Sequence, residues 1–132
     1  MIIGTGIDLV DSQRIQKLLD DHGTRFIDKY FTDNEKSYTL NLPKKNQALS
    51  LAKRFAAKEA CAKAMGCGFR EGIIMKDMEV SNNDLGKPFL TLHGKSLEYC
   101  NNLAPIGKEI RLHLSLTDEP PYAQAQLIIE AI

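Results

Sequence analysis

The chain has no excess of either charge, few cysteines and no long apolar run, and each absence excludes a class of function. Its 17 basic and 17 acidic residues give a formal net charge of zero. A general nucleic-acid binder rests on a broad surplus of Lys and Arg, so nucleic acid is not an expected partner. No stretch approaches the ~20 apolar residues that cross a bilayer, and no membrane span is expected. The N-terminus is apolar for only a few residues, lacks a basic leader and meets Asp8 at once, unlike a signal peptide. Cys61, Cys67 and Cys100 are odd in number and show neither CxxC nor Cys/His metal spacing. Cys61 and Cys67 lie in or beside an apolar helix and read as small buried hydrophobes. With no disulfide framework, a reducing cytoplasm is the expected location. There is no internal repeat, low-complexity tract or linker. The 132 residues, 43% of them hydrophobic, therefore read as one domain, 1–132. A domain of this size still exposes much of its surface, which makes oligomerisation a reasonable expectation.

What is present is a local asymmetry. Residues 44–63 hold six cations (Lys44, Lys45, Lys53, Arg54, Lys58, Lys63) against one anion, Glu59. Such a run is a patch for phosphate or an acidic protein, or simply a solvated helix face. The spacing predicts a long central helix from about Gln47 to Met65, stopped at Gly66, with Lys44-Lys45-Asn46 still in the preceding loop. Ala52, Ala56, Ala60 and Ala64 form a ridge of small side chains that lets another element approach closely.

Around that helix, residues 2–10 read as a strand with Gly4, Gly6, Asp8 and Val10 on one face. The glycines clear space beside Asp8, either for a ligand or for close packing. Asp11 or Ser12 caps a short helix ending near Gly23, and another carries Arg25, Phe26 and Tyr30. Thr32-Asp33-Asn34-Glu35 has the spacing of a capping box, and Asn41-Leu42-Pro43 ends the helix it opens. Met75 to Val80 and Phe89 to Leu92 read as strands about a turn at 82–86, with a short helix over Lys95 to Asn101. Ile110, Leu112, Leu114 and Leu116 alternate with Arg111, His113, Ser115 and Thr117, the first strand of a hairpin turning at Pro120-Pro121. Strands and helices do not alternate as in a doubly wound sheet. The fold class is α+β: a small, mostly antiparallel sheet packed on one long central helix, with short helices around it.

The candidate chemistry lies in two carboxylates and a set of cations. Asp8 and Glu59 are hard oxygen donors, and Mg²⁺ commonly takes one or two protein carboxylates, leaving its other positions to water and phosphate. Asp8 also suits a cap or turn, and Glu59 a pair with Lys63 one turn on. Arg54, Lys58 and Lys63 suit phosphate. Gly86-Lys87-Pro88 brings a cation onto a tight turn, and His113, Ser115 and Thr117 line one strand face.

In combination these blocks resemble one family. Gly6-Ile7-Asp8-Leu9-Val10, Arg25-Phe26, Phe31-Thr32 with Glu35, and Arg54-Phe55-Ala56-Ala57-Lys58-Glu59-Ala60 with Lys63-Ala64-Met65-Gly66 look like the holo-acyl-carrier-protein synthases. Gly86-Lys87-Pro88 and His113-Leu114-Ser115-Leu116-Thr117 follow in that family's order, so the likeness spans nearly the whole chain.

The resemblance implies a 4′-phosphopantetheinyl transferase fold. It also implies Mg²⁺-dependent transfer of the phosphopantetheine arm of coenzyme A to a serine of apo acyl carrier protein, with release of adenosine 3′,5′-bisphosphate, in support of fatty acid biosynthesis. It further implies a homotrimer with active sites between subunits. Asp8 and Glu59 then match the metal ligands, and Lys63 joins them as a catalytic cation. Lys63, Gly86, Lys87, Pro88, His113, Ser115 and Thr117 match positions around the coenzyme. Arg14, Arg25 and Phe26 resemble the surface that receives the carrier, while Arg54 and Lys58 serve either the coenzyme phosphates or the carrier. Met75 stands where many relatives have tryptophan, and Asp118 where many have histidine. The general base, the preferred carrier and the tolerance of acylated coenzyme A are not legible at this level. The rival readings are a Mg²⁺-dependent nucleotide or pyrophosphate hydrolase, and a non-catalytic trimer binding an acidic partner through its basic helix.

Overall fold

Two glycines set how the molecule is layered. A computed structural model describes residues Met1–Ile132, and in it strand β1 (Ile2–Asp11) lies directly against helix α4 (Lys44–Met65). A Cβ added at Gly4 would overlap the carbonyl oxygen of Ala64, and one at Gly6 that of Ala60. The small-residue ridge of α4 and the glycines of β1 are thus one interface, backbone against backbone. Close packing, not room for a ligand, is what the glycines supply.

Between these elements come α1 (Ser12–His22), α2 (Thr24–Tyr30) and α3 (Asp33–Leu40). Asp11 caps α1 by accepting from the Gln13 amide at 2.9 Å. The expected capping box opens α3: Thr32 Oγ1 accepts from the Glu35 amide, and Glu35 Oε1 accepts from the Thr32 amide. Strands β2 (Met78–Asn82) and β3 (Pro88–Leu92) form a hairpin, α5 (Gly94–Asn102) follows, and β4 (Ile110–Glu119) and β5 (Tyr122–Ala131) close the chain. The main sheet is antiparallel in the order β1-β5-β4. Its inner face, carrying Val10, Leu114, Ala123, Ala125, Leu127 and Ile129, is buried beneath α4. No helix is long and apolar enough to cross a membrane.

Two local expectations are corrected. Lys44, Lys45 and Asn46 form the first turn of α4, which starts immediately after Pro43. First-turn amides need no partner within the helix, so three polar, solvent-facing residues cost it little. Met75–Asp77 is a 3₁₀ turn and not the start of a strand. The Met75 carbonyl points inward to accept from Lys58 Nζ at 3.1 Å, which withdraws it from any ladder.

That lysine is the main polar feature of the interior. Lys58 is fully buried, and its ammonium donates to Glu35 Oε1 at 2.6 Å, to the Tyr30 carbonyl at 2.8 Å and to Met75. Glu35 Oε2 in turn accepts from the Val80 amide at 3.0 Å. All three ammonium protons are used, so this buried pair ties α2, α3, α4 and β2 together without an orphan charge.

Candidate active site

Asp8 leaves β1 on the side facing α4, where Lys63 reaches it. Lys63 Nζ donates to Asp8 Oδ1 at 3.0 Å and to the Ile7 carbonyl at 2.9 Å. Glu59, one turn earlier on α4, joins them. Burial raises the pKa of its carboxyl above the ordinary glutamate value, and the neighbouring Asp8 adds to the rise; Lys63 and Arg14 oppose it. A part-buried carboxylate whose proton affinity rises beside a second carboxylate marks a site short of positive charge. No third His, Cys, Asp or Glu gathers with them into a larger metal-binding group. Two hard oxygen donors with room for other ligands fit Mg²⁺ and do not fit a closed zinc site.

The remaining candidates divide. Gly86 holds the tight turn at φ 84°, where only glycine is unstrained. The Lys87 amide donates to Asn83 Oδ1 at 2.9 Å, leaving its ammonium exposed. Lys87, Pro88, His113 and Ser115 share a cavity of about 400 Å³ with Asn83 and Phe89, where β3 runs beside β4. Thr117 lies on the same outward face, opposite Gln124, but outside that cavity. His113 Nε2 lies 3.0 Å from Glu130 Oε1, and this contact holds the Glu130 carboxyl below the usual glutamate range.

His113, Ser115 and Thr117 belong to the β4 edge of the sheet, with Gly86, Lys87 and Pro88 of the β2–β3 hairpin beside it, and Asp8 belongs to the β1 edge, with β5 between. Asp8 pairs with Ala125 and Ala125 with Leu116, so the two edges stand about 10 Å apart. Asp8 also faces inward, and His113, Ser115 and Thr117 outward. One chain therefore does not bring all its candidate residues to one place.

Arg54 is 5% exposed. Its guanidinium stacks 4.3 Å from the Tyr38 ring, and Nη1 donates to Ser50 Oγ at 2.9 Å. Its Nε has no partner within the chain, and the residue borders a cavity of about 280 Å³ beside Asn82 and Leu116. Burial lowers its pKa, with Glu35 and Tyr38 opposing the shift. Lys58 is corrected: sealed in the core with every proton used, it can touch neither coenzyme nor carrier.

Arg14 and Arg25 are exposed on α1 and α2. Phe26 is 4% exposed, packed against Tyr30 and Phe31. It meets the surface only as the wall of an apolar groove of about 550 Å³ that it shares with Leu18, Phe55, Ile73 and Glu59. Sequence reasoning missed this groove, whose walls come from four separated segments, along with Asn83 and Phe89. A larger, polar cavity of about 670 Å³ between α1, α2 and the start of α4 contains none of the candidate residues.

Comparison with known proteins identifies the family and the fold. The profile of the 4′-phosphopantetheinyl transferase superfamily matches residues 4–116. A holo-[acyl-carrier-protein] synthase of Brucella ovis is 47% identical over 132 residues, covering 100% of this chain and 97% of that protein. The crystal structure of a holo-(acyl-carrier-protein) synthase from Bacillus anthracis, in complex with CoA (3′,5′-ADP), is 34% identical. It superposes with a TM-score of 0.82 over 100% of this chain and 99% of that one. The synthase of Neisseria meningitidis is also 34% identical, with a TM-score of 0.84 over 98% and 99% of the two chains. With sequence, fold and order of motifs all in agreement, the chain belongs to the holo-[acyl-carrier-protein] synthase family of 4′-phosphopantetheinyl transferases, and is an enzyme.

Proposed function

We propose that this enzyme transfers the 4′-phosphopantetheine group of coenzyme A to a serine of apo acyl carrier protein, at a site holding Mg²⁺ between Asp8 and Glu59. The observation that carries the metal assignment is the Asp8–Glu59 pair itself, two hard donors whose mutual repulsion a divalent cation relieves. When bound there, Mg²⁺ would polarise the pyrophosphate and neutralise charge on the departing adenosine 3′,5′-bisphosphate.

The protein's own groups do the rest. Lys63, held by Asp8 and the Ile7 carbonyl, stands ready to contact a phosphate oxygen without a large rearrangement. Arg54, which lines a cavity and whose buried Nε has no partner within the chain, receives another coenzyme phosphate. Lys87, Pro88, His113 and Ser115 hold the nucleotide on the β4 edge. Lys29 and Lys76 line the apolar groove that includes Glu59, and Arg14 and Arg25 lie exposed on α1 and α2, the helices that give it Leu18, Phe26 and Tyr30; this is a surface of the right charge for an acidic carrier helix with apolar side chains.

The split between sheet edges supports a homotrimeric assembly, with the β1 edge of one subunit and the β4 edge of the next forming each site. The outward face of the sheet supports the same reading: Ile7 is 53% and Leu9 62% exposed there, beside Gln124, Gln126 and Ile128. Leu9→Lys should yield a smaller species by light scattering. A folded monomer with full activity would defeat the shared site.

The decisive experiment for the reaction is intact-mass spectrometry of an apo acyl carrier protein incubated with the enzyme, coenzyme A and Mg²⁺. The carrier should gain one phosphopantetheine, and chelation or Glu59→Ala should abolish the gain. An unmodified carrier with cleaved coenzyme A would instead favour a hydrolase. A folded Glu59→Ala protein with full activity would remove Glu59 from the site.

A further inference from the structure

At the cavity beside Arg54 lies an ion pair that the proposed reaction does not use. Its polar lining consists of Tyr38, Asn46, Ser50, Lys53, Arg54 and Asn82, with no carboxylate among the lining residues. Two cations, one of them with an unpartnered buried Nε, make it an anion site by construction. Yet Lys53 is not free. Its Nζ lies 2.9 Å from Asp118 Oδ2, with the two side chains 31% and 29% exposed. Asp118 follows Thr117 on β4 and so points to the opposite face, toward α4, in line with Leu114 and Leu116. It stands outside the cavity lining and grips Lys53 at the rim.

Coenzyme A carries two kinds of phosphate, the reacting pyrophosphate and a monoester on the ribose 3′ oxygen. If the pyrophosphate goes to Asp8 and Glu59, the anion left for the Arg54 cavity is the monoester, which the bisphosphate product retains. Resting on that reading of the coenzyme site, we propose that Asp118 sets the affinity for the nucleotide by competing with the ribose 3′-phosphate for Lys53. The carboxylate offsets one of the two cations, so the cavity presents a net charge near one and not two. Binding of substrate and retention of product are weakened together. Because both carry the same 3′-phosphate, the effect acts on product release as much as on capture.

The test uses the full-length enzyme with metal chelated, and calorimetric titration with adenosine 3′,5′-bisphosphate and with adenosine 5′-monophosphate, which lacks the 3′-phosphate. Asp118→Asn removes the charge with little change of shape, and should tighten the bisphosphate about tenfold while leaving the monophosphate unchanged. Asp118→Ser should do the same, which guards against a fold defect in one variant. In a Lys53→Met background, Asp118→Asn should have little effect on either ligand. Unchanged or weakened bisphosphate binding in both Asp118 variants would overturn the competition, as would equal tightening of both nucleotides. A wild-type enzyme that binds the two ligands equally would instead overturn the 3′-phosphate reading of the cavity, a different result from failure of Asp118 alone.

Discussion

Lys53, Lys58 and Lys63 of helix α4 each meet a carboxylate, and the last two, five residues apart and about 140° around its axis, make opposite use of theirs. Lys58 meets Glu35 in the core, and every polar group there is satisfied: three acceptors on the ammonium, and the Thr32 amide, the Val80 amide and Lys58 itself on the carboxylate. Lys63 meets Asp8 at the surface, and the group beside them is not satisfied. Glu59 sits among partly buried neighbours with its proton affinity raised, while Lys63 turns to Asp8 and a backbone carbonyl. The first cluster is complete and holds the fold. The second is short of one cation, the arrangement expected where a ligand supplies the missing charge.

The comparison breaks most visibly at the core pair. Lys58→Met leaves Glu35 buried and unpaired, and should cost about 3–5 kcal/mol in urea unfolding. Pairing it with Glu35→Leu removes the stranded charge and should recover much of that loss, though the Val80 and Thr32 amides lose their acceptor. Glu59→Gln should leave stability near wild type while removing Mg²⁺-dependent transfer. A Lys58→Met enzyme as stable as wild type would show that the pair carries no structural burden.

How far sequence could separate the two lysines shows where local reading stops. The capping box from Thr32 to Glu35 was legible because it is a four-residue pattern, and the alternation over Ile110–Thr117 because a strand repeats every two residues. That the same Glu35 also neutralises Lys58 and receives the Val80 amide depends on partners 23 and 45 positions away. No periodicity encodes that, so Lys58 resembled the other cations of its run. The proposed site at Asp8, Glu59 and Lys63 came from family likeness, since Asp8 and Lys63 meet only once β1 is laid on α4. The division of candidate residues between two sheet edges required the strand order. The glycines of β1 were open to two readings, and the carbonyls of Ala60 and Ala64 decide for packing.

The arginines sharpen the contrast from the outside. Arg14 lies close enough to Glu59 to pull its proton affinity down, whereas Arg25 has no such effect. Charge reversal at Arg25 should raise the KM for the carrier by about tenfold and leave that for coenzyme A unchanged, as expected of a rim contact. Arg14→Glu should raise the carrier KM similarly and also lower kcat, because a third carboxylate joins Asp8 and Glu59. Identical kinetic profiles for the two variants would mean that Arg14 serves docking alone.

The smallest effect is the most specific to the unsatisfied cluster. A carboxyl whose pKa is raised on folding adds stability that is fully present below its unfolded pKa and lost as pH rises through the folded value. For Glu59 the sign follows directly: in metal-free protein it stabilises the fold in mild acid and ceases to do so toward neutrality. Urea midpoints measured without metal between about pH 4 and 7 should therefore differ between wild type and Glu59→Gln in a pH-dependent way. The wild type should lose ground to the variant as pH rises. Adding Mg²⁺ at neutral pH should restore the wild type and leave the variant unmoved, because the ion binds the charged carboxylate that the proton no longer holds. Parallel curves in the absence of metal would mean that Glu59 feels neither Asp8 nor its own burial, and the contrast between the two lysine clusters would then be one of exposure alone.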